Sequence, residues 1–142
     1  MTTPTPIEKP LPLATPTSAP FWEGLRRGEV RLQRCEACCA YVFYPRTHCP
    51  ACLSPKLAWQ TVSGRGQVHT FTIARLPTAP FFADETPQLL AVVELDEGVH
   101  LPSTLVGVAP DAVAVGMRVV PVFERTEGGE SVLLRFTRAS DA

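Results

Sequence analysis

Five cysteines fall between positions 35 and 52, and four of them form two matched pairs, Cys35-Glu36-Ala37-Cys38 and Cys49-Pro50-Ala51-Cys52, with ten residues between the pairs. A Cys-x-x-Cys turn sets two sulfurs on one side of a tight backbone knuckle. One such turn occurs by chance or in redox chemistry, whereas two at this spacing supply the four thiolates of a closed tetrahedral metal site. Structural Zn2+ favours that donor set, with Zn–S distances of about 2.3 Å. Cys35, Cys38, Cys49 and Cys52 are the expected ligands of a rubredoxin-like zinc ribbon. Cys39 offers a rival Cys-x-x-x-Cys ligation from Cys35, which the x-x spacing of the second pair disfavours. Four thiolates leave no open position, so a metal held this way is structural rather than catalytic.

The flanking sequence is almost entirely β in character. Residues 1–19 carry prolines at 4, 6, 10, 12 and 16, which excludes a helix or a sheet interior and predicts a flexible or draped tail. Residues 20–34 predict a two-turn helix and a lead-in strand. Pro20 suits a first helical turn, Gly28 the position past a helix end, and Phe21, Trp22 and Leu25 give one strongly apolar face. So short a helix must dock, either on its own domain or, through Phe21 and Trp22, on a partner. Val30 and Leu32 then alternate with polar residues up to the first knuckle. The ribbon itself is expected over 35–62, with Tyr41–Tyr44 as its return strand and Leu57–Val62 leading out.

Residues 63–142 read as a small barrel. Ser63-Gly64-Arg65-Gly66 is a break whose two glycines allow a sharp turn or a close chain approach. Strands are expected at Gln67–Ala74, with His69, Phe71 and Ile73 on one face, and at Leu89–Leu95, buried on both sides. Shorter stretches follow at Val99–Leu101 and, beyond Pro102, Leu105–Val108. Met117–Glu124 and Val132–Phe136 form a last pair joined at Glu127-Gly128-Gly129-Glu130, a hairpin signal. Five short strands close most economically into an OB-type Greek-key barrel, with a small sandwich as the alternative. The chain is therefore mainly β: a short N-terminal helix, a zinc ribbon and a five-stranded barrel. The long Leu76–Gln88 connection carries Phe81 and Phe82 in a proline frame, which suits a partner or ligand contact.

Charge and hydropathy restrict the function. Thirteen Lys and Arg against 14 Asp and Glu, spread along the chain, provide no basic footprint for nucleic acid. No apolar run is long enough to span a bilayer, and the N-terminus lacks the layout of a signal peptide. With metal-bound rather than paired cysteines, this predicts a cytoplasmic protein with neither membrane nor nucleic acid as partner. No complete catalytic set is visible either. His48 reads as a surface residue beside Cys49, His69 as a satisfied barrel histidine, and His100 lies near a turn with no obvious acid partner. Lys56, Arg65 and Arg75 flank the ribbon–barrel junction and are the candidates to hold a polyanionic cofactor.

The order of these parts resembles the DUF35 family of zinc-ribbon, OB-fold, acyl-CoA-associated proteins. The resemblance is carried by Phe21-Trp22-Glu23-Gly24-Leu25, Leu32-Gln33-Arg34-Cys35 and Pro45 through Cys52. Further on it is carried by Ser63-Gly64-Arg65-Gly66-Gln67-Val68, Phe82-Ala83-Asp84 and Val92 through Gly98, so that it covers about Pro20 to Phe136. It implies a non-catalytic accessory subunit that associates with a thiolase-like acyltransferase, thiolase or aldolase, or with a MaoC-like hydratase, and helps bind the CoA thioester. Phe21, Trp22, Phe81 and Phe82 would then face the partner, and Lys56, Arg65 and Arg75 the CoA. The zinc is structural in that picture. The chain departs from the family where glycine commonly follows each knuckle: here those positions hold Cys39 and Leu53. Two other classes remain as alternatives, a nucleic-acid-binding ribbon–barrel module and a rubredoxin-like electron carrier with iron at the cysteines.

Overall fold

The structure is a computed structural model that describes residues 9–126, 129 and 131–140. The first eight residues of the proline-rich tail lie outside that range, as does the expected hairpin turn at Glu127-Gly128-Gly129-Glu130 except for Gly129. From Lys9 to Thr17 the chain has no helix or strand and is mostly exposed. It drapes over the barrel at one point, where Lys9 pairs with Glu85 and lies 5.2 Å from the ring centre of Phe82.

Helix α1 spans Ala19–Arg26. It ends in a Schellman motif, with Glu29 N–H donating to Gly24 O at 2.8 Å and Gly28 N–H to Leu25 O at 3.1 Å. That closure needs a left-handed residue, and Gly28 supplies it at φ 73°. Phe21 and Leu25 are 7% and 1% exposed. Burying two such side chains stabilises docking by about 1.5–3 kcal/mol each, far more than an eight-residue helix gains from its own hydrogen bonds.

Three strands form the ribbon sheet: β1 (Val30–Cys35), β2 (Tyr41–Val42) and β3 (Leu57–Val62), in the order β2-β1-β3. Strand β1 is thus the centre of the ribbon rather than a lead-in to it. It pairs with β3 along its whole length, from Val30 opposite Val62 to Cys35 opposite Leu57. Gln33, only 4% exposed, is held in place by two bonds to one residue: its Nε2 donates to Arg46 O at 2.8 Å, and Arg46 N–H donates to its Oε1 at 2.7 Å.

The remaining strands are β4 (Gly66–Ala74), β5 (Gln88–Leu95), β6 (His100–Leu105), β7 (Arg118–Arg125) and β8 (Val132–Arg138). They close into a barrel in the order β4-β5-β6-β8-β7, which removes the sandwich alternative. All neighbours are antiparallel except β6 and β8, which meet in parallel at Leu105 opposite Phe136. The break at 63–66 serves both of its expected purposes. Gly64 turns at φ 71°, and a Cβ on Gly66 would lie 2.2 Å from Glu94 O on β5.

Three details differ from the sequence expectation. Strand β6 runs unbroken through Pro102, which lies opposite Val92 on β5. Proline is tolerated there because β8 reaches β6 only at Leu105, leaving the other side of Pro102 without a ladder. Strand β5 is not buried on both sides: Leu89, Ala91, Val93 and Leu95 point inward while the residues between them are half-buried. Strand β4 contains a bulge between Val68 and Thr70. It resets the alternation, so Val68, Phe71 and Ile73 pack on the core while His69 and Thr70 both face outward. His69 is therefore not a barrel-interior histidine.

The core is continuous across the parts. Phe21, Leu25, Val30 and Leu32 from the helix and β1 belong to the same cluster as the barrel interior. Beside the knuckles lies a separate, very small cluster of Cys35, Val42 and Cys49, with Leu57 against it. Among the described residues, no helix is long and apolar enough to cross a membrane.

Candidate functional site

The two knuckles repeat one backbone pattern. Cys39 N–H donates to Cys35 O and Leu53 N–H to Cys49 O, at 2.9 and 2.8 Å. Cys35 N–H donates to Ala40 O and Cys49 N–H to Ser54 O, both at 2.9 Å. The repeat carries one cost in each knuckle, a left-handed residue without glycine: Cys39 at φ 65° and Leu53 at φ 66°. The knuckles keep the turn that glycine would favour and tolerate its strain.

This backbone brings together Cys35, Cys38, Cys49 and Cys52, whose sulfurs all lie within 4.8 Å of one another. Cys35 Sγ is 3.6 Å from Cys52 Sγ, and Cys38 Sγ is 3.6 Å from Cys49 Sγ. A tetrahedron with Zn–S bonds of about 2.3 Å has S–S edges of about 3.8 Å, so the geometry fits. A disulfide would need about 2.05 Å, and all five cysteines are free. Cys39 is exposed and does not join the cluster, so the x-x spacing wins over its rival.

The protonation pattern of the bare sulfurs calls for a cation. The Cys38 N–H holds the Cys35 thiol down to about 7, and the Cys52 N–H lowers Cys49 in the same way. Cys38 is helped by the N–H of Ala40 but still rises to about 12, because it faces Cys49 and is partly desolvated. Cys52 also rises, its bond from Ser54 outweighed by Cys35 and burial. Four sulfurs this close cannot all ionise unless a positive charge sits among them. Little else holds the knuckles together, since their own apolar cluster has only four members.

A cleft of about 460 Å³ opens between the ribbon and the barrel. One wall is Phe21 and Trp22 of α1 with Phe43 and Tyr44 from the stretch between the knuckles, and the other is Leu101 and Pro102 of β6. Leu133 to Arg135 of β8 close its floor, and Leu13 of the tail borders its rim. It exists because β6 and β8 meet only at one end. Among the described residues, Arg135 is the one cation lining it, and its Nη1 already donates to Thr104 Oγ1 at 3.1 Å.

The expected contact residues fall into different settings. Phe21 is mostly buried, its ring centre 5.2 Å from Trp22 and 5.8 Å from Phe43, so most of its surface serves the packing of α1 and the remainder borders the cleft. Trp22 is half-buried at the cleft wall. Phe81 and Phe82 lie on a 3-10 turn at Pro80–Glu85, half-buried and edge-on to each other at 4.7 Å. Lys56, Arg65 and Arg75 are all exposed. Arg65 and Arg75 bracket β4, however, on the order of 30 Å apart along an extended strand. Lys56 and Arg65 likewise flank opposite ends of β3. So placed along the chain, they are three separate candidates for a phosphate contact. His48 is exposed and bonds Thr47 Oγ1 at 3.1 Å, as a surface residue does. Phe43, Tyr44 and Pro102 were not recognisable as cleft residues in the sequence, because ribbon–barrel docking alone brings them together.

Comparison with known proteins agrees with this architecture. A family model for the ChsH2 rubredoxin-like zinc ribbon domain matches residues 22–58, and one for the ChsH2 C-terminal OB-fold domain matches 59–124. A Thermomonospora curvata protein named "Probable enoyl-CoA hydratase alpha subunit" is 39% identical over 114 residues, 79% of this chain but 34% of that protein. The chain thus spans about a third of that relative. A DUF35 domain-containing scaffold protein of Methanothermobacter thermautotrophicus is 37% identical over 99 residues, 67% of this chain and 74% of that one. Among solved structures, a chain of the Ltp2-ChsH2(DUF35) aldolase superposes with a TM-score of 0.81 at 34% identity, covering 92% of this chain and 100% of that chain. Ribbon, barrel and relatives agree, and the chain belongs to the DUF35 family of zinc-ribbon, OB-fold proteins.

Proposed function

We propose that this chain is a non-catalytic accessory subunit of an acyl-CoA-processing enzyme complex, its partner a thiolase-like acyltransferase, thiolase or aldolase, or a MaoC-like hydratase. The observation that carries the reading is the similarity over nearly the whole chain to a component of the Ltp2-ChsH2(DUF35) aldolase. The hydratase alpha-subunit relative points the same way.

In this reading Cys35, Cys38, Cys49 and Cys52 hold a structural Zn2+ that supplies no chemistry beyond fixing the knuckles. The ion offsets part of the charge of the four thiolates and fixes the knuckles, and the stretch between them carries Phe43, which packs on Phe21 of α1. The ribbon–barrel cleft is the working surface, and its apolar walls suit the acyl or pantetheine portion of a CoA thioester shared with the partner. Trp22, Phe81 and Phe82 contribute partner contacts, whereas Phe21 acts from inside by setting the position of α1. If CoA phosphates meet Lys56, Arg65 or Arg75, they meet one of them, with the partner supplying the remaining cations.

The test is turnover of a thiolase-like or MaoC-like enzyme encoded in the same genome, assayed on acyl-CoA with and without this chain. The expected result is activity or stability that depends on the chain and is lost with Cys35→Ser. A partner equally active alone, and unaffected by adding the chain, overturns the proposal.

A further inference from the structure

A second group of ligand-type side chains lies on the outer face of the barrel, away from the knuckles in sequence. His69 on β4, Glu94 on β5 and His100 on β6 each present one ligand atom, and the three atoms lie within 4.8 Å of one another. His100 Nε2 is 3.2 Å and His69 Nδ1 3.8 Å from the same carboxylate oxygen, Glu94 Oε2. The imidazole rings stack with centres 4.4 Å apart, inclined by 29°.

Three adjacent strands build this convergence. Glu94 stands directly opposite His100 in the β5–β6 ladder. The bulge between Val68 and Thr70 leaves His69 as the extra residue on β4 and turns it out beside them. Bulges commonly re-aim one side chain in this way near functional sites. Two stacked imidazoles with one carboxylate oxygen facing both make a poor ion-pair arrangement, since charging both rings sets like charges against each other. The same three groups make a good cation site. Two imidazoles and a carboxylate are ligands of divalent transition metals, and bonds of about 2.0–2.2 Å place donor atoms about 3.3 Å apart, close to the spacings observed.

We propose that His69, Glu94 and His100 form a surface site for a divalent transition-metal ion of the zinc class, separate from the four-cysteine ribbon. The side chains are about half exposed, so rotation closes the remaining gap without moving backbone. Three protein ligands leave at least one position open to water or to a group from outside the chain. The site is independent of the accessory-subunit reading and stands or falls on its own measurement.

The experiment is a calorimetric Zn2+ titration of the full chain carrying one ribbon zinc, with imidazole nitrogen NMR on the same sample. One further equivalent is expected to bind, shifting the His69 and His100 resonances together. Outer partners of metal ligands are worth about 10–100-fold in affinity, so removing a direct ligand by His69→Ala, His100→Ala or Glu94→Gln should weaken the second equivalent at least about tenfold. Cys39→Ser should leave it unchanged, which separates this site from the exposed thiol. The ribbon zinc, retained in every variant, reports intact folding. Absence of a second equivalent, or its survival in the His69→Ala/His100→Ala double variant, overturns the proposal.

Discussion

Leu53→Gly should tighten zinc binding although it removes a side chain and adds no contact. Leu53 sits at φ 66°, where a Cβ crowds the following carbonyl and costs about 1–2 kcal/mol. Its side chain is 75% exposed, so truncation loses almost no buried area. Glycine removes the clash but adds about 0.5–1 kcal/mol of chain entropy to be lost on folding. The net gain is about 0.5–1 kcal/mol. Metal binding and knuckle folding are one event in sites of this kind, so the gain appears as about a two- to fivefold higher zinc affinity. Cys39, at φ 65° in the equivalent position, should respond alike. The Cys39→Gly/Leu53→Gly pair should then gain about four- to 25-fold if the knuckles act independently. Competition against a chromogenic chelator measures this directly. Leu53→Ala is the control, because alanine keeps the Cβ and hence the strain. Equal affinities for Leu53→Gly and Leu53→Ala, or a loss in the glycine variant, would refute the strain argument.

Further outcomes follow from the same structure. Cys35→Ser and Cys38→Ser should each lose the ribbon zinc while circular dichroism retains most of the barrel signal, and Cys39→Ser should keep it. Gly66→Ala places a methyl 2.2 Å from Glu94 O, a backbone atom that cannot step aside. It should lower stability by about 3 kcal/mol, the upper range for overpacking, seen as a lower urea midpoint. Gln33→Leu leaves the N–H and C=O of Arg46 without their partner and should cost about 2–4 kcal/mol in the same assay. Protein purified from its native host should be colourless, because a ferric tetrathiolate absorbs in the visible and zinc does not. A red preparation would favour the electron-carrier alternative.

Local features were the most legible in the sequence. Cysteine spacing led to the knuckles, Gly28 to the end of α1, and Gly64 and Gly66 to a turn and a close approach, because each rests on a few consecutive residues. The missing glycines at Cys39 and Leu53 mark the two places where the knuckle either turns differently or tolerates strain, a choice that only the backbone, with positive φ at both, decides. What failed depended on register between distant strands. The bulge at His69 cannot be read from an alternating pattern that continues on both sides of it, and without it His69 falls on the same face as Phe71 and Ile73. His100 has no acid beside it in sequence, because Glu94, six residues earlier, becomes its cross-strand neighbour only once β5 and β6 pair. Pro102 reads as a strand break in sequence because nothing local says that β8 leaves that side of β6 open. Phe21 and Trp22, adjacent in sequence, part company for the same reason: docking of α1 buries most of the first and leaves the second half-exposed at the cleft wall they share.

The proposed function makes this chain a zinc-held scaffold within an acyl-CoA enzyme complex. Native mass spectrometry of this chain co-expressed with a thiolase-like or MaoC-like enzyme of the same genome tests it most directly. The expected result is one hetero-oligomeric species containing both proteins, with at least one zinc per copy of this chain, that disappears with Cys35→Ser. Wild-type chain found only as a free, zinc-loaded species beside each such enzyme would contradict it.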